Sequence, residues 1–403
     1  RRGGGVMAWL NGTAANYRDL LRILRHFVSG RATVGSIAQT GTGNGTLTLI
    51  DPVIGAVTQT WTLTCTVAGP TGTFSVTGSV SGALAAATVG TPYSNAQIGF
   101  LISDGAVDFA VNDQFVFAAT ASTMISGERW VQDRWTDDAT TQEFLAHAPG
   151  LAASDAIYMG ARSYQDLGVP YWFIEGGGFI GHIPANTWAN QPGAMSGTYW
   201  PGMSLWDTTI PFWLVANGRR AMLVAKVEAR YEMLHLGFFL PYATPGQYPY
   251  PLLVGGSISG LAGRIRSLVS GDHRMFWNPG ADSAGNGSCA FMLPGAAWSR
   301  AINYTASDIA SGLIAVPMVL PYGVTNGRNL REGLAGDYVL QPFVLAGMDG
   351  TQKGAFGEID GLYAVTGYGN ATENIVSIGG QNHLVVQNVY RNANSEYCAL
   401  KLA

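Results

Sequence analysis

The stretch Trp61-Thr62-Leu63-Thr64-Cys65-Thr66-Val67 alternates apolar or large side chains with threonine, position by position. Strict alternation of this kind is the pattern of a β-strand with one buried face, and β-branched threonine suits the exposed face. Residues 73–77 repeat the pattern, and residues 97–102 and 114–117 predict further strands. Turn sequences such as Gly43-Asn44-Gly45 separate these segments. Short strands at this spacing predict a β-sandwich.

The composition around this stretch differs from that of the rest of the chain. Residues 31–122 hold only five charged side chains, and ten of the eleven tryptophans lie outside them. Val28-Ser29-Gly30 and Ile125-Ser126-Gly127 resemble the two ends of an insertion, and exposed loops tolerate inserted domains. The sequence therefore predicts a β-sandwich at 31–122 inserted into a larger β-rich domain, which is formed by residues 1–30 and 123–403.

The N-terminal segment shows helical periodicity, with one apolar face. Thr13 or Asn16 is expected to cap the helix, and Gly30 is expected to end it. The apolar positions are Tyr17, Leu20, Leu21, Leu24, Phe27 and Val28. The arginines on the opposite side are Arg18, Arg22 and Arg25. Two interpretations of these arginines are considered: a solvated face, or a contact surface for an acidic partner.

The chain beyond residue 122 is expected to be mostly β. Residues 213–216 and 221–227 predict a hairpin around Asn217-Gly218, because both turn residues tolerate positive φ. Residues 231–240 predict a third strand, and residues 383–402 predict a closing hairpin. Between them, the glycine-rich segments 176–204 and 278–299 predict long loops, which are usually functional or interface-forming in a compact domain.

Composition excludes several classes of protein. The net charge is −4, and only three lysines accompany nineteen arginines, so no basic excess points to nucleic acid. No apolar run approaches the roughly 18 residues of a membrane-spanning helix. Hydrophobic residues make up 47% of the chain, which is incompatible with a disordered protein. We therefore expect neither nucleic acid nor membrane as a partner.

Candidate catalytic groups are few. Asp137 and Asp138 are paired carboxylates of the kind that a glycosidase needs, but adjacent aspartates are commonly a turn or a helix cap. Glu175, followed by Gly176-Gly177-Gly178, offers an oxyanion-type loop without a paired nucleophile. The six histidines are scattered singly, which is typical of structural or exposed residues; they are His26, His147, His182, His235, His273 and His383. The sequence therefore predicts no catalytic site.

Metal and cofactor sites are likewise not predicted. Asp104, Asp108, Asn112 and Asp113 could supply oxygen ligands to calcium, but their spacing misses the EF-hand loop. The three cysteines stand far apart, at no metal-binding or disulfide-framework spacing. We therefore expect neither a metal nor a cofactor.

Six aromatic residues are concentrated in loops that also contain glycine and proline. Exposed aromatic rings stack on sugars or fill pockets in partner proteins. The alternative is that these rings are buried against their own domain or against identical copies, and we favour that alternative. The residues are Tyr199, Trp200, Trp206, Tyr242, Tyr248 and Tyr250.

Several segments resemble structural proteins of tailed-bacteriophage virions that are associated with the tail and baseplate. In the larger domain these are residues 7–21 (MAWLNGTAANYRDLL), 237–256 (GFFLPYATPGQYPYPLLVGG), 386–391 (VQNVYR) and 397–401 (YCALK). Residues 43–47 (GNGTL) and 87–93 (ATVGTPY) are similar to a small Ig-like β-domain found in phage head and tail proteins.

The resemblance implies a non-enzymatic virion protein in the tail, baseplate or tail fibre, synthesised in the host cytoplasm. It implies assembly with copies of itself and with other tail or baseplate proteins, with the Ig-like sandwich projecting outward. Low charge and abundant aromatic residues fit interface cores. Two alternatives are a carbohydrate-binding receptor module that recognises host-surface glycans through the six loop aromatics, and a head decoration protein. A third, a tail-associated depolymerase using Asp137, Asp138 or Glu175, would normally show the periodicity of a repeat fold, which is absent.

Overall fold

The computed structural model describes residues 7–50, 56–139, 141–150, 157–166, 171–195, 200–259, 273–277, 288–301, 314–318, 338–349, 352–389 and 393–402. These ranges contain one α-helix, α1 (Tyr17–Val28), and two short 3-10 helices, Ser126–Glu128 and Trp188–Asn190. The strands, in chain order, are β1 (Ala8–Ala14), β2 (Thr33–Val34), β3 (Ala38–Thr40), β4 (Thr46–Ile50), β5 (Gln59–Val67), β6 (Thr73–Gly78), β7 (Gly82–Thr88), β8 (Tyr93–Ser94), β9 (Gly99–Ser103), β10 (Gln114–Thr120), β11 (Val131–Asp137), β12 (Gln142–Ala148), β13 (Ile157–Asp166), β14 (Tyr171–Phe179), β15 (Pro201–Leu205), β16 (Ile210–Ala216), β17 (Arg220–Val227), β18 (Arg230–Phe238), β19 (Leu240–Pro241), β20 (Leu252–Gly255), β21 (Ile258–Ser259), β22 (Cys289–Met292), β23 (Trp298–Ala301), β24 (Ile314–Met318), β25 (Gln341–Asp349), β26 (Gln352–Val365), β27 (Ile375–Ile378), β28 (Gln381–Gln387) and β29 (Tyr397–Lys401). The predicted fold class, mainly β with an N-terminal helix, is confirmed.

Strands β2 to β10, called the sandwich below, form two antiparallel sheets. One sheet has the order β2-β10-β5-β6-β7, with β3 also paired to β10, and the other has the order β4-β9-β8. In β5, Trp61, Leu63 and Cys65 are buried, while the intervening threonines face outward. The alternation of apolar and polar residues therefore places one face of the strand in a core of its own.

That core draws on both sheets and is rich in aromatic rings. Phe74 and Phe109 meet edge to face, with ring centroids 5.1 Å apart. Phe100 stacks on Tyr93 at 4.6 Å. Ring pairs of this geometry add stabilisation beyond the burial of their area. The hydrophobic effect therefore joins the two sheets of the sandwich without any ion pair among the described side chains of this core.

The two ends of the sandwich lie side by side. Thr33 in β2 is in register with Thr120 in β10. Just beyond them, the Ser122 hydroxyl donates to the carbonyl of Phe27 at 2.8 Å, and the Trp130 N–H donates to the carbonyl of Val28 at 2.9 Å. The chain thus leaves α1, builds the sandwich and returns to the point of departure. The assignment of residues 31–122 as an inserted domain stays a prediction.

The described residues outside 31–122, called the body below, contain two further sheets. The smaller one is antiparallel with the order β11-β12-β13-β14-β15-β21. The larger one has the order β1-β16-β17-β18-β20-β22-β23-β24-β25-β26-β29-β28-β27. Leu240 of β19 is in register with Glu358 of β26, so the chain leaving β18 closes back onto a distant part of the same sheet.

The middle strands of the larger sheet are buried on both faces. In β17, Leu223 and Ala225 face a core shared with α1 and the smaller sheet. Met222 and Val224 face a second core, which is completed by β25, β26, β28 and β29. A strand buried on both faces has a continuous apolar sequence instead of an alternating one, and residues 221–225 have that sequence.

Helix α1 is stabilised by a capping side chain at its N-terminus and by contacts of the arginines along one side. The Asn16 side chain accepts the N–H groups of Arg18 and Asp19, as one of the two predicted caps. The helix arginines have partners in the same chain, while Arg18 and Arg22 stay partly exposed to solvent as the solvated-face interpretation expected. Arg18 pairs with Asp137 at 2.9 Å. Arg25 is buried, donates to Gln132 at 2.6 Å and lies 4.5 Å from the Trp135 ring centroid.

The predicted hairpin around Asn217 forms, but for a different reason. Neither Asn217 nor Gly218 has a positive φ. The Asn217 side-chain oxygen instead accepts the N–H groups of Arg219 at 2.9 Å and Arg220 at 3.1 Å. The strand at 231–240 and the closing hairpin also form, as β18 and as β28 with β29.

Two predicted loops contain strands. Residues 176–179 belong to β14 and residues 201–204 to β15, while residues 289–292 and 298–299 belong to β22 and β23; residues 278–287 lie outside the described residues. Glycine in β14 reflects close packing, because a Cβ on Gly176 would lie 2.6 Å from the Leu236 side chain. No helix among the described residues has the length and apolar character needed to cross a bilayer.

Candidate functional site

The loop aromatics predicted as contact residues fall into two groups. Trp200 is only 3% exposed and packs against Trp188, with ring centroids 5.5 Å apart. Tyr248 is 1% exposed, and its hydroxyl donates to the carbonyl of Met292. These two residues are core residues, so their selection as contact residues is wrong. The favoured alternative, burial against their own domain, describes them correctly.

The remaining aromatics are less buried. Tyr250 is half-buried against the core shared with α1, and Tyr199 lies outside the described residues. Tyr242 is 58% exposed, and partial burial together with the Glu358 carboxylate raises the pKa of Tyr242. Trp206 is 37% exposed. Trp206 lines a defined concave surface.

That surface, the Trp206 groove, has a volume of about 390 Å³. It forms where the chain crosses from β15 to β16 and meets the end of β17. The lining residues are Trp206, Thr208, Thr209, Ile210, Pro211, Lys226, Val227 and Glu228. Aromatic, hydroxyl-bearing, basic and acidic residues therefore line one cleft.

A polar network fixes one wall of the Trp206 groove. Lys226 Nζ lies 2.6 Å from Glu373 Oε1, and the Tyr231 hydroxyl donates to the same carboxylate. Lys226 Nζ also lies 5.7 Å from the Tyr231 ring centroid, within the range of a cation–π contact. The three side chains hold each other in place although Lys226 and Glu373 are both partly exposed to solvent.

The network also fixes the protonation states of its members. Burial, followed by the Glu373 carboxylate, raises the pKa of Tyr231 to about 12. The hydrogen bond from Lys226 lowers the pKa of Glu373, and the same bond raises the pKa of Lys226. At neutral pH the network therefore holds a cation, a carboxylate and a neutral phenol.

Backbone strain is concentrated at the same place. Glu228 has φ +55° and Glu373 has φ +71°. A left-handed conformation costs a residue with a Cβ on the order of 1 kcal/mol, and such residues are enriched at functional sites. Two of the four described non-glycine residues with positive φ thus flank Lys226 and Tyr231.

A second, smaller hollow of about 110 Å³ lies on the other side of the β17–β18 turn. Its lining residues are Val227, Glu228, Ala229, Arg230, Tyr231, Gln387 and Asn388. Val227 and Glu228 line both hollows, so the turn forms a ridge between them. A ligand longer than the Trp206 groove could continue over this ridge.

The candidate catalytic carboxylates occupy structural positions. Asp137 accepts from Arg18 and Arg22 at 2.9 and 3.2 Å. Asp138 is a turn residue whose carboxylate accepts the N–H of Thr141 at 2.7 Å. Glu175 is buried in β14 and pairs with Arg162 at 3.1 Å, and the glycines that follow it belong to the ladder with β13. The proposed oxyanion loop is therefore a strand.

The residues considered as calcium ligands also differ in their structural roles. Asp104 and Asp108 are exposed. The Asp113 carboxylate is buried and accepts N–H groups of Thr42, Gly43 and Ala110 at 3.0, 2.8 and 3.0 Å. Burial acts to raise the pKa of Asp113, but these three donors outweigh it and lower the pKa. Among the described residues, no group of three or more His, Cys, Asp or Glu could hold a metal.

The body contains a buried ionic cluster that the sequence analysis did not find. Glu232 is fully buried, lies 3.0 Å from His273 and 2.8 Å from Arg230, and accepts the Ser257 hydroxyl. Burial acts to raise the pKa of Glu232, but His273 and then Arg230 outweigh it and lower the pKa. A carboxylate so enclosed stabilises the packing of β18 against the segments after β20 and is not available to a ligand.

Sequence reasoning found Trp206 but missed Lys226, Glu228 and Glu373. Lys226 is one of only three lysines, which was the one signal available. Glu373 lies 147 positions from Lys226, so no local pattern connects them. A search against protein-family models finds no match, and a comparison with curated protein sequences finds no significantly similar relative.

Proposed function

We propose that this chain is a non-enzymatic structural protein of a tailed-bacteriophage virion, a component of the tail, baseplate or tail fibre. The resemblance noted for residues 7–21, 237–256, 386–391 and 397–401 supports the proposal. These segments form β1 with α1, the passage from β18 to β20, and the hairpin of β28 with β29. They therefore belong to the layers that build the body.

The observation that carries the proposal is the surface of the sandwich. Val67, Val107 and Val111 are 56%, 49% and 52% exposed. The N–H of Asn112 donates to the carbonyl of Cys65 at 2.9 Å, which brings the loops bearing Val67 and Val111 together. Exposed apolar side chains that cluster at one end of a domain are typical of protein interfaces.

These valines lie at the end of the sandwich far from the body. Strands β5 and β10 are antiparallel neighbours. Thr120 of β10 is at the junction with the body, whereas Val111 precedes Gln114 at the opposite end of that strand. The sandwich thus carries its apolar end outward, where it contacts a neighbouring virion protein. The body assembles with copies of itself and with other tail or baseplate proteins.

Cryo-electron microscopy of intact particles, with mass spectrometry of purified virions, tests the proposal. We expect density for this chain in the tail, baseplate or fibres. Density on the capsid alone would replace the tail assignment with the head decoration alternative. Absence of the chain from purified particles would overturn the virion role.

A matched pair of variants tests the outward end of the sandwich. Val67→Asp with Val111→Asp is expected to reduce incorporation into particles, because charge is unfavourable in an interface core. Val80→Asp is the control, since Val80 is 65% exposed but lies in the β6–β7 turn, near the body. Equal incorporation of both variants would contradict the assignment of this end as a contact surface.

A further inference from the structure

We infer that the Trp206 groove binds a neutral, gluco-configured oligosaccharide, with the Trp206 indole as the stacking platform. The inference goes beyond a role in virion assembly, because it assigns a ligand class to a particular cleft. Its basis is the combination of an exposed indole, fixed polar groups and an extended shape.

The platform is the first element. Trp206 is 37% exposed, and Pro211 provides a second apolar surface in the same cleft. In a gluco-configured pyranose the hydroxyls are equatorial, so the axial C–H groups form a flat apolar face. Such a face packs on the indole ring, whose π-system attracts polarised C–H groups. Trp206 and Pro211 therefore offer a stacking surface to a sugar ring without any rearrangement of the hydrophobic core.

The polar groups are the second element. Thr208, Thr209, Lys226 and Glu228 line the cleft. Together they supply donors and acceptors for sugar hydroxyls, each of which can donate and accept. The bonds from Lys226 and Tyr231 to Glu373 hold this wall in place before a ligand arrives, and such pre-organisation reduces the entropy lost on binding.

The charge balance selects against acidic sugars. Glu373 neutralises Lys226 at 2.6 Å, which leaves Glu228 as the charge without an opposite partner in the groove lining. A carboxylate or sulfate on the ligand would be repelled by Glu228 at neutral pH. A neutral sugar accepts hydrogen bonds from the wall and donates to Glu228 without this repulsion.

The shape is the third element. The groove volume of about 390 Å³ lies at the lower end of the roughly 300–1,000 Å³ range of small-molecule sites. The second hollow, lined by Gln387, Asn388 and the Glu232-paired Arg230, lies beyond the ridge formed by Val227 and Glu228. An open cleft that continues over a ridge suits a chain of several sugar units better than a single compact molecule.

Titration of the purified full chain tests the inference. The probes are cellohexaose, chitohexaose and maltohexaose, with heparin hexasaccharide as the anionic comparison. Saturation-transfer NMR and calorimetry are expected to show saturable binding of at least one neutral probe and none of heparin. Trp206→Ala is expected to weaken binding by at least about tenfold, as for a central aromatic contact. Trp206→Phe is expected to keep part of the affinity.

Two further variants separate binding from folding. Tyr242→Ala is the matched control, because Tyr242 is more exposed than Trp206 and does not line the groove. It is expected to leave affinity unchanged. Glu228→Gln is expected to weaken neutral-sugar binding severalfold and to relieve the repulsion of heparin. Circular dichroism and thermal melting check that each variant is folded.

The outcomes that overturn the inference are specific. They are a lack of saturable binding to all three neutral probes, binding that survives Trp206→Ala, or a preference for heparin. Sugar binding by a chain absent from virions would instead leave this inference standing while overturning the virion proposal. A chain that is present in virions but binds none of the probes would overturn this inference and leave the virion proposal standing. The failure of one proposal can therefore be told from the failure of the other.

Discussion

The body and the sandwich are both built mainly from antiparallel strands, but their buried charged groups are satisfied in opposite ways. The body encloses Glu232 with His273 and Arg230, and encloses Arg220 beside Asp360. Among the described residues of the sandwich, Asp113 is the one buried charged group, and backbone N–H donors satisfy it. The body therefore depends on charge pairs between distant segments, whereas alternating apolar side chains suffice for the sandwich.

The difference predicts the largest effect for a broken ion pair in the body. Glu232→Gln leaves Arg230 and His273 facing a neutral amide, and loss of one member of a buried pair costs about 3–5 kcal/mol. We expect the urea midpoint of tryptophan fluorescence to fall accordingly. Because only Trp61 lies within residues 31–122, this fluorescence follows the body.

The control for this experiment is Arg22→Gln. Arg22 is 40% exposed and pairs with Asp19 and Asp137, so its loss should cost no more than about 1 kcal/mol. If the two variants unfold at the same urea concentration, the buried cluster does not stabilise the body as argued.

A smaller effect is expected for Asp113 in the sandwich. Asp113→Asn removes a charged acceptor from three backbone N–H groups, at a cost of about 1–2 kcal/mol in a partly exposed loop. Hydrogen exchange should accelerate in peptides covering 40–46 and 107–114 but not in β17 or β18. Asp104→Asn, at an exposed position in the same region, is expected to change neither the stability nor the exchange rates of these peptides.

The same residue predicts an acid dependence. The pKa of Asp113 in the folded chain lies below its ordinary value, which is about 3.9 in unfolded chains. The stability that it contributes is therefore present above about pH 4 and is lost as the pH falls through the folded value. Exchange protection in 40–46 should fall in that window for the natural chain. In the Asp113→Asn variant the exchange protection should already be low at neutral pH. Identical pH profiles for the natural chain and the variant would contradict this role of Asp113.

The contrast between the sandwich and the body also explains which elements of the fold could be predicted from the sequence. Period-two alternation predicted β5 because one face of that strand is buried, and Asn16 was recognisable as a cap from its own side chain. Strand β1 was missed, since Trp9-Leu10-Asn11-Gly12 has no alternation and gains its place by pairing with β16. Local pattern therefore determines elements whose partners are near in sequence.

The candidate site shows the same limit. Whether a loop aromatic is buried depends on a receiving segment elsewhere in the chain. Tyr248 is a core residue, and the backbone carbonyl of Met292, 44 positions away, accepts its hydroxyl, whereas Trp206 stays partly exposed among the described residues. Glycines 176–178 were assigned to a loop by composition, but the closeness of Leu236 and Trp188 makes glycine necessary in a strand there. These outcomes follow from tertiary packing, which spacing alone does not encode.

The smallest effect is expected from removing the sandwich altogether. Paired residues such as Thr33 and Thr120 lie roughly 5 Å apart at their Cα atoms. An Asn-Gly turn can therefore replace residues 34–119 and join them as a two-residue hairpin. Because the described cores of the sandwich and the body share no residue, the melting temperature of the body should change by less than about 2 °C, the equivalent of about 1 kcal/mol for a chain of this length.

This deletion is the direct test of the predicted insertion. The hydrogen bonds from Ser122 to Phe27 and from Trp130 to Val28 are outside the replaced segment, so the shortened chain retains the closure at the end of α1. Calorimetry and tryptophan fluorescence of the purified variant provide the measurement. A shortened chain that aggregates or melts far below the natural one would mean that the sandwich is an integral part of the body fold. A cooperative transition at nearly the natural temperature would establish that the body is stabilised separately from the sandwich.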